Sequence, residues 1–378
     1  MRRLRTASTR RLYAIVAAVA ALAAGGGIAQ AALSGSNDTP PPKPLDRAVH
    51  DALTAPDVQG VTARIEFTND LLPAGSLPEG AVSPLAAGAE GRLWMSGERF
   101  RLELQSDAGD AQVTSDGERL SVYDSSSNVV YVLALPDEEP RADRPLSLEG
   151  VSGALDRLAR FWTLSGAQPT NTADRPSYTL RIAPKDDGGL LGAAELAWDA
   201  ANGVPLRAGV YAQGQAAPVL EIEVTEVDFG PVADADLAAR PPAGANVVEV
   251  DPVVHADGEP TRVRGVEAVQ ERLDFPLAAP AELAGLPRQD VRLIEAGGRY
   301  GAVSVYGEGM GAIVVLQREA SGEEPDVELP QVNIDGATGI ELATALGTLV
   351  TFDRDGVSYT VAGSVPPIAA ENAARELR

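Results

Sequence analysis

The stretch GERLSVYDSSSNVVYVLAL, Gly117–Leu135, decides the fold class because it predicts a β-hairpin whose second strand is apolar on both sides. Its first half alternates apolar and polar side chains, and a polar cluster at Asp124–Asn128 turns the chain. Val129–Leu135 is then apolar at every position. An antiparallel strand with one solvated side needs only one apolar face. The second face must therefore contact either the protein's own helices or a lipid.

Strand patterns on both sides of this hairpin predict one large antiparallel sheet. Val61–Phe67 alternates strictly between apolar and polar residues, as a half-buried strand does. Short strands at regular spacing are typical of a meandering sheet or barrel. The further predicted strands are Arg92–Met95, Phe100–Leu104, Leu120–Tyr123, Tyr178–Ile182, Ala194–Trp198, Leu206–Tyr211 and Val219–Phe229.

Two helices are predicted to accompany this sheet. Leu45–Leu53 is a short helix candidate, and Val151–Trp162 carries apolar residues at helical spacing. The second helix must bury its apolar stripe, and Val129–Leu135 is a suitable floor for it. Residues 45–250 are therefore expected to form the first domain.

The chain beyond residue 250 predicts a second, smaller domain. Residues 251–262 are rich in Pro, Gly and acids, which favours a linker. Residues 263–378 then predict an α+β domain. Its expected elements are a helix at Val266–Leu273, strands at Val291–Glu295, Tyr300–Tyr306 and Ala312–Gln317, a hairpin at Leu349–Ala362 turning at Asp353–Gly356, and a helix at Pro367–Arg378.

Residues 1–31 have the features of an export signal: a basic start, an apolar run and the small-x-small pattern Ala29–Ala31. Tyr13–Ala32 is uncharged and about long enough to span a bilayer, so an uncleaved N-terminal membrane anchor is the alternative. Thr9–Ala14 resembles a twin-arginine core, which leaves the export route open. Residues 32–44 predict a flexible, Pro-rich spacer. Either alternative places the folded part outside the cytoplasm, in the cell envelope or secreted.

Charge and composition exclude several classes of function. The formal net charge is −23, and residues 1–31 contain arginines but no acid, so the remainder is still more acidic and repels nucleic acid. The chain has no cysteine and two histidines far apart in sequence, which argues against a metal site. Gly307–Ala312, GEGMGA, lies between two predicted strands and is expected to be a turn. We expect no catalytic residues, no metal and no cofactor, and hence no enzyme.

Several short segments resemble the LolA family of lipoprotein carriers by their order and spacing over about Leu45–Val250. One of these segments is GRLWMSGERFRLELQS. The positions that carry the resemblance are Arg99–Leu104, Asp116-Gly117, Tyr123-Asp124, Asp199, Gly203–Pro205 and Pro241–Gly244. The resemblance implies an α+β, mainly β fold: an unclosed, curved antiparallel half-barrel whose concave side is covered by helices. Between sheet and helices it implies an apolar cavity for acyl chains.

The domain order of this chain, a LolA-like domain followed by a smaller α+β domain, resembles that of RseB-like regulators. That resemblance implies a sensor of lipidated proteins that restrains an anti-sigma factor. Aromatic residues make up only 4% of this chain, so cavity contacts assigned to aromatics in the family do not carry over. Candidate lipid-binding residues are therefore taken from strand alternation: Leu93, Met95, Leu102, Leu104, Val122, Val132, Leu180, Leu196, Trp198, Leu220 and Ile222.

The expected function is non-enzymatic binding of lipid or lipoprotein acyl chains, as a carrier or receptor. The alternative is an RseB-like regulator that acts on an anti-sigma factor or another envelope protein through protein contacts. A third possibility is a structural envelope protein whose interior is filled. A cavity between sheet and helices distinguishes the first two from the third. An uncleaved N-terminal segment would associate the protein with a membrane, whereas its acidic surface would not.

Overall fold

The computed structural model describes residues 38–72, 85, 88–107, 109–135, 147–185, 189–238, 244–250, 263–296, 299–320 and 330–377. These residues form two compact units, of which the first lies mainly between residues 38 and 250 and the second mainly between 263 and 377. The predicted export signal at 1–31 and the predicted linker at 251–262 lie outside the described residues.

The first unit is a curved, unclosed β-sheet accompanied by a few helices, which confirms the predicted fold class. Within the described residues its spatial order is β13-β6-β5-β4-β3-β2-β1-β12-β11-β10-β9-β7, with β8 also paired to β9. The strands are β1 (Val61–Asn69), β2 (Ala89–Ser96), β3 (Arg99–Ser106), β4 (Gly109–Ser115), β5 (Arg119–Asp124), β6 (Val129–Ala134), β7 (Trp162–Leu164), β8 (Gln168–Thr172), β9 (Arg175–Pro184), β10 (Leu191–Asp199), β11 (Pro205–Ala212), β12 (Leu220–Asp228) and β13 (Asn246–Val250).

Strands β4, β7, β8 and β13 were not predicted. They are short or polar, as in GDAQVTS of β4, so side-chain alternation alone does not reveal them. They become strands because neighbouring strands offer free backbone hydrogen-bonding groups. Strand β13 pairs with β6 in parallel, with Val247 opposite Val130, so β6 is not the edge of the sheet.

The register places most of the apolar strand residues on one face, here called the inner face. Met95 pairs with Val61 on one side and with Phe100 on the other. Val113 likewise joins Leu102 to Val122. Because paired residues in antiparallel strands share a face, these side chains form one continuous apolar surface.

One candidate residue lies on the opposite face. Val122 pairs with Tyr131, whereas Val132 pairs with Ser121, so Val132 belongs to the outer face and its assignment with the other candidates was wrong. The alternating pattern could not give the register across the hairpin turn, because β6 is apolar on both faces. Val130 on the outer face is buried, and Tyr131 on the inner face is 43% exposed.

Among its described residues the first unit has the helices α1 (Leu45–Thr54), α2 (Leu148–Leu158) and the short α3 (Asp234–Leu237). The hydroxyl of Ser147 caps α2 by accepting a hydrogen bond from the Gly150 amide at 3.1 Å. Helix α2 ends earlier than predicted, because Trp162 pairs with β9 and Phe161 is 72% exposed. In the described residues α2 packs mainly against α1 rather than on Val129–Leu135, which corrects the predicted floor.

The second unit is an antiparallel sheet with two helices, in the order β14-β15-β16-β17-β21-β20-β19-β18 among its described residues. Its elements are α4 (Val266–Gln270), β14 (Glu282–Leu283), β15 (Leu286–Ala296), β16 (Arg299–Tyr306), β17 (Ile313–Glu319), β18 (Gln331–Ile334), β19 (Ala337–Thr344), β20 (Gly347–Arg354), β21 (Val357–Gly363) and α5 (Pro367–Glu376). Gly307–Ala312 forms the predicted turn between β16 and β17.

Local turn chemistry explains the predicted hairpin of β20 and β21. Asp355 and Gly356 have φ of 51° and 79°, the consecutive left-handed residues that a tight hairpin turn requires. The core of this unit contains Val315, Val350 and Val361 of the sheet and Ala370 and Ala373 of α5. It therefore has a hydrophobic core of its own.

Candidate functional site

The first unit contains a cavity of about 290 Å³ between the inner face of the sheet and helices α1 and α2. Its walls are almost wholly apolar. The lining residues are Val49, Ala52, Leu53, Ala55, Pro56, Asp57, Val58, Met95, Leu155, Leu180, Ile182, Leu196, Trp198, Asn202, Gly203, Val204 and Pro205.

The turn between β10 and β11 positions one wall of this cavity. Asp199, which is 1% exposed, accepts hydrogen bonds from the amides of Ala201 and Asn202 at 2.8 and 3.1 Å. Its other carboxylate oxygen accepts a hydrogen bond from Arg175 Nε at 2.7 Å. A buried carboxylate therefore holds the turn in one conformation, and the motif found in the sequence at Asp199 and Gly203–Pro205 has a structural role.

Gly203 brings this turn into contact with the end of α1. Its φ is +72°, and a Cβ atom there would lie 2.3 Å from the carbonyl oxygen of Ala52. Glycine is therefore needed both for the backbone conformation and for the close approach. The C-terminal end of α1 thereby closes over the cavity.

Residues 38–44, part of the predicted spacer, contact the same region. Tyr178 donates its hydroxyl hydrogen bond to the carbonyl of Pro41 at 2.6 Å. Lys43 lies 5.7 Å from the centre of the Tyr178 ring and pairs with Asp51 of α1 at 2.7 Å. These contacts hold the start of α1 on strand β9.

Helix α2 contributes Leu155 to the lining of the cavity and is hydrogen-bonded to α1. Ser152 donates a hydrogen bond to Asp46 of α1 at 2.9 Å. The two helices thus form one cover rather than two independent segments.

Four of the eleven candidate residues line the cavity: Met95, Leu180, Leu196 and Trp198. The remaining candidates on the inner face pack into the adjoining hydrophobic cluster rather than into open space. These are Leu93, Leu102, Leu104, Val122, Leu220 and Ile222.

Sequence reasoning missed the part of the wall formed by α1 and the loop after it, including Val49, Ala52, Leu53 and Val58. The sequence predicted a short helix at Leu45–Leu53. Which of its residues face the cavity depends on the tertiary structure.

The chemistry of the cavity suits an apolar guest. No Lys, Arg or His belongs to its described lining, whose polar side chains come from Asp57 and Asn202. Among the described residues, no group of His, Cys, Asp and Glu is arranged to hold a metal ion. The volume is at the lower end of typical small-molecule pockets, roughly 300–1,000 Å³.

The outer face of the same strands carries a buried network of charges centred on Arg207. Its guanidinium lies 2.9 Å from Glu195, donates to Tyr211 at 2.8 Å and contacts Glu221. Glu195 also receives a hydrogen bond from Arg181 at 2.7 Å. The inner and outer faces are therefore chemically opposite.

Burial raises the pKa of Glu221 to about 7, although the Arg207 charge acts in the other direction. Burial likewise raises the pKa of Glu223, with Glu66 adding to the effect. The pKa of Glu195 stays below its ordinary value in spite of burial, because Arg181, Tyr211 and Arg207 all stabilise its ionised form. The network therefore changes charge close to neutral pH.

Comparison with known proteins gives structural similarities at low sequence identity. No family model matches the chain, and no curated protein matches it. The crystal structure of MucB in complex with MucA(peri) has 18% identity and a TM-score of 0.42, with 88% of this chain and 96% of that chain covered. The MucA/MucB complex of Pseudomonas aeruginosa has 18% identity and a TM-score of 0.43, covering 87% and 95%.

LolA superfamily protein NE2245 from Nitrosomonas europaea has 11% identity and a TM-score of 0.19, covering 52% of this chain and 96% of that one. MucB and LolA-superfamily structures are thus among those similar to this chain. Within the part of the chain that the structure describes, none of the helices has the length and apolar character to cross a membrane.

Proposed function

We propose that this protein is a non-enzymatic binding protein that holds an acyl chain of a lipid or lipoprotein in the cavity of its first unit. The observation that carries the proposal is the apolar space of about 290 Å³ under α1 and α2. A structural protein with a filled interior would not need it. Met95, Leu180, Leu196 and Trp198 are the proposed acyl-chain contacts, within a lipid-binding domain of residues 45–250.

The volume of the cavity limits the free energy that burial of an acyl chain can contribute to binding. A dry cavity of ~150 Å³ holds benzene, so about 290 Å³ accommodates roughly a dozen carbon atoms. Burial of one methylene contributes about 0.8 kcal/mol, which gives up to ~10 kcal/mol for such a chain. That is comparable to the cost of removing the same length of chain from a bilayer, so exchange between membrane and protein is feasible.

The proposed location is extracytoplasmic. Its support is the basic, apolar and small-x-small sequence of residues 1–31. An exported protein that binds lipid would reach its cargo in the cell envelope, either free or held by an uncleaved N-terminal segment.

The test is displacement of a fluorescent fatty-acyl probe, combined with native mass spectrometry of protein purified from its own host. Leu155→Trp places a larger side chain into the cavity and is expected to weaken probe binding at least tenfold. Ala154→Trp is the matched control, because Ala154 is the neighbouring residue on α2 and is exposed. Absence of both probe uptake and co-purified lipid would refute the proposal, as would equal binding by the two variants.

A second candidate function is regulation through the second unit, as in RseB-like proteins that act on an anti-sigma factor. The observation that favours it is a groove of about 410 Å³ in this unit, lined by Leu277, Arg354, Tyr359 and others. One of the similar structures is a complex of MucB with MucA(peri), which is a finding about MucB and not about this chain.

This second function predicts that the immobilised full-length protein captures a membrane-fraction partner and releases it when lipid is added. Leu277→Asp in the groove should abolish capture and leave acyl-probe binding unchanged. Capture that is insensitive to both lipid and Leu277→Asp would contradict it.

A further inference from the structure

We infer that strand β13, at one edge of the first sheet, binds an extended peptide segment of a protein partner, with apolar side chains and one basic side chain. The peptide adds a further strand beside β13 and pairs with it through backbone hydrogen bonds. No residue of β13 belongs to the lining of the acyl-chain cavity, so this surface is separate from the site of the proposed function.

The backbone groups of β13 are the first argument. The Asn246 amide donates to the Asn128 carbonyl at 3.0 Å, and Val248 continues this parallel pairing with β6. Successive residues of a strand direct their backbone groups to alternate sides, so the N–H and C=O groups of Val247 and Glu249 point away from β6. In the described part of the chain, no other strand pairs with β13. The edge therefore offers two donors and two acceptors to an added strand.

The apolar side chains at this edge are the second argument. Val247 is 54% exposed, and Val248 is 36% exposed beside its cross-strand neighbour Tyr131, which is 43% exposed. Proteins commonly protect an edge strand with Lys, Pro or a β-bulge. Strand β13, NVVEV, contains neither Lys nor Pro, and its pairing with β6 is regular. An added strand with apolar side chains would remove these exposed groups from water.

Charge indicates which partner fits this edge. Glu249 is the single charged residue of β13, it is exposed, and within the described residues its side chain makes no ion pair or hydrogen bond. A basic side chain directly opposite Glu249 therefore adds a favourable cross-strand pair. A second copy of this chain fits less well, because each copy has a net charge of −23 and an edge of five residues buries little area for a stable dimer.

The experiment measures binding of fluorescein-labelled peptides to the full-length protein by fluorescence anisotropy at low salt. The probe is a capped octapeptide of threonine and valine with one central lysine. One comparison peptide has glutamate in place of the lysine, and the other has N-methyl groups on the alternate backbone amides that would face β13. The lysine peptide should bind about three- to tenfold more tightly than the glutamate peptide, and the N-methylated peptide should not bind measurably.

Protein variants test the same contacts from the other side. Glu249→Lys should reverse the order of the lysine and glutamate peptides. Glu319→Lys makes the same charge change at an exposed strand residue of the second unit and is the matched control that should keep the wild-type order. Val247→Pro removes one outward N–H and no hydrogen bond to β6, so it should weaken binding of the lysine peptide at least tenfold. Acyl-probe binding by Val247→Pro should match the wild type and thereby report that the first unit is folded.

Failure of the lysine peptide to bind, or binding that survives N-methylation, would overturn the inference even if Val247→Pro did not fold. An unchanged order of the peptides with Glu249→Lys would overturn the requirement for a basic side chain. A wild-type dimer in analytical ultracentrifugation that Val247→Pro converts to a monomer would assign the edge to a second copy and overturn the peptide partner. The proposed function is tested separately by the fatty-acyl probe, so it stands or fails independently of these results.

Discussion

Arg207 connects several buried acidic groups on the outer face, so its replacement by methionine should destabilise the first unit. Its guanidinium contacts Glu195 at 2.9 Å, Glu221, and Glu223 at 3.8 Å. The side chain of Arg207 is 21% exposed and that of Glu221 only 4%. Arg207→Met keeps the aliphatic volume and removes the charge, which leaves these carboxylates without their shared cation.

The expected loss of stability follows from the burial of the ion pairs that Arg207 makes. Removing one partner of a buried ion pair costs about 3–5 kcal/mol, and the partial exposure of Arg207 favours the lower end, about 3 kcal/mol. For a unit of roughly 200 residues this lowers the melting temperature by about 6–12 °C. Arg64→Met is the matched control, because Arg64 pairs with Glu226 across β1 and β12 at 3.1 Å with both side chains more than half exposed. An exposed pair contributes about 0–1 kcal/mol.

The assay is thermal and urea unfolding followed by tryptophan fluorescence. The three tryptophans, at positions 94, 162 and 198, all lie in strands of the first unit, so the signal reports on that unit. The defect of Arg207→Met should be smaller at pH 5 than at pH 7.5, because the uncompensated carboxylates then take up protons. A loss no larger than that of Arg64→Met, or a larger defect at pH 5, would refute the reasoning.

Three further predictions concern other positions. Gly203→Ala should lower the stability by about 2–4 kcal/mol and weaken acyl-probe binding, because its Cβ atom would collide with α1. Gly214→Ala is the control: Gly214 has a similar φ but open space around it, so this change should cost only about 1 kcal/mol. Equal probe binding by the two variants would contradict the role given to Gly203. Glu221 has a folded-state pKa raised to about 7, so the native state retains a proton that the unfolded chain loses above its ordinary pKa, and stability should fall as the pH rises from about 4.5 to 7. Glu221→Gln should flatten this part of the stability profile measured by urea titration, and an unchanged slope would count against it. In the second unit, Gln317→Leu should lower the free energy of unfolding by about 2–4 kcal/mol. The buried side-chain amide of Gln317 accepts one hydrogen bond from the Ala278 backbone and donates one to it, each at 2.8 Å, and leucine can make neither. A melting curve by circular dichroism that matches the wild type would contradict this.

Much of the strand content could be read from the sequence because alternation reports burial directly. Val61–Phe67 and Tyr178–Ile182 alternate cleanly and lie in β1 and β9. The strands that were missed are short or polar, and β8 and β13 exist because a neighbouring strand supplies hydrogen-bonding partners. Such pairing is a property of two segments, and inspection of one segment cannot reveal it.

The candidate site was predicted only in part, for a related reason. Alternation placed Leu180, Leu196 and Trp198 on one face, and that face does border the cavity. The same rule also selected Leu102 and Leu104, which are closely packed with their neighbours. A periodic pattern shows that a side chain leaves water, but whether it meets another side chain or a void depends on distances between strands.

The amino-acid sequence by itself determined the mainly β character, the strong negative charge, the hairpin turns and the apolar faces of strands and helices, because these depend on neighbouring residues along the chain. Only the tertiary structure decided that α1 closes over the sheet at Gly203, that Val132 faces outward and that a cavity of about 290 Å³ is left between the helices and the inner face. Cavities and registers arise from the packing of segments distant in sequence, and small shifts between such segments either fill a space or open it.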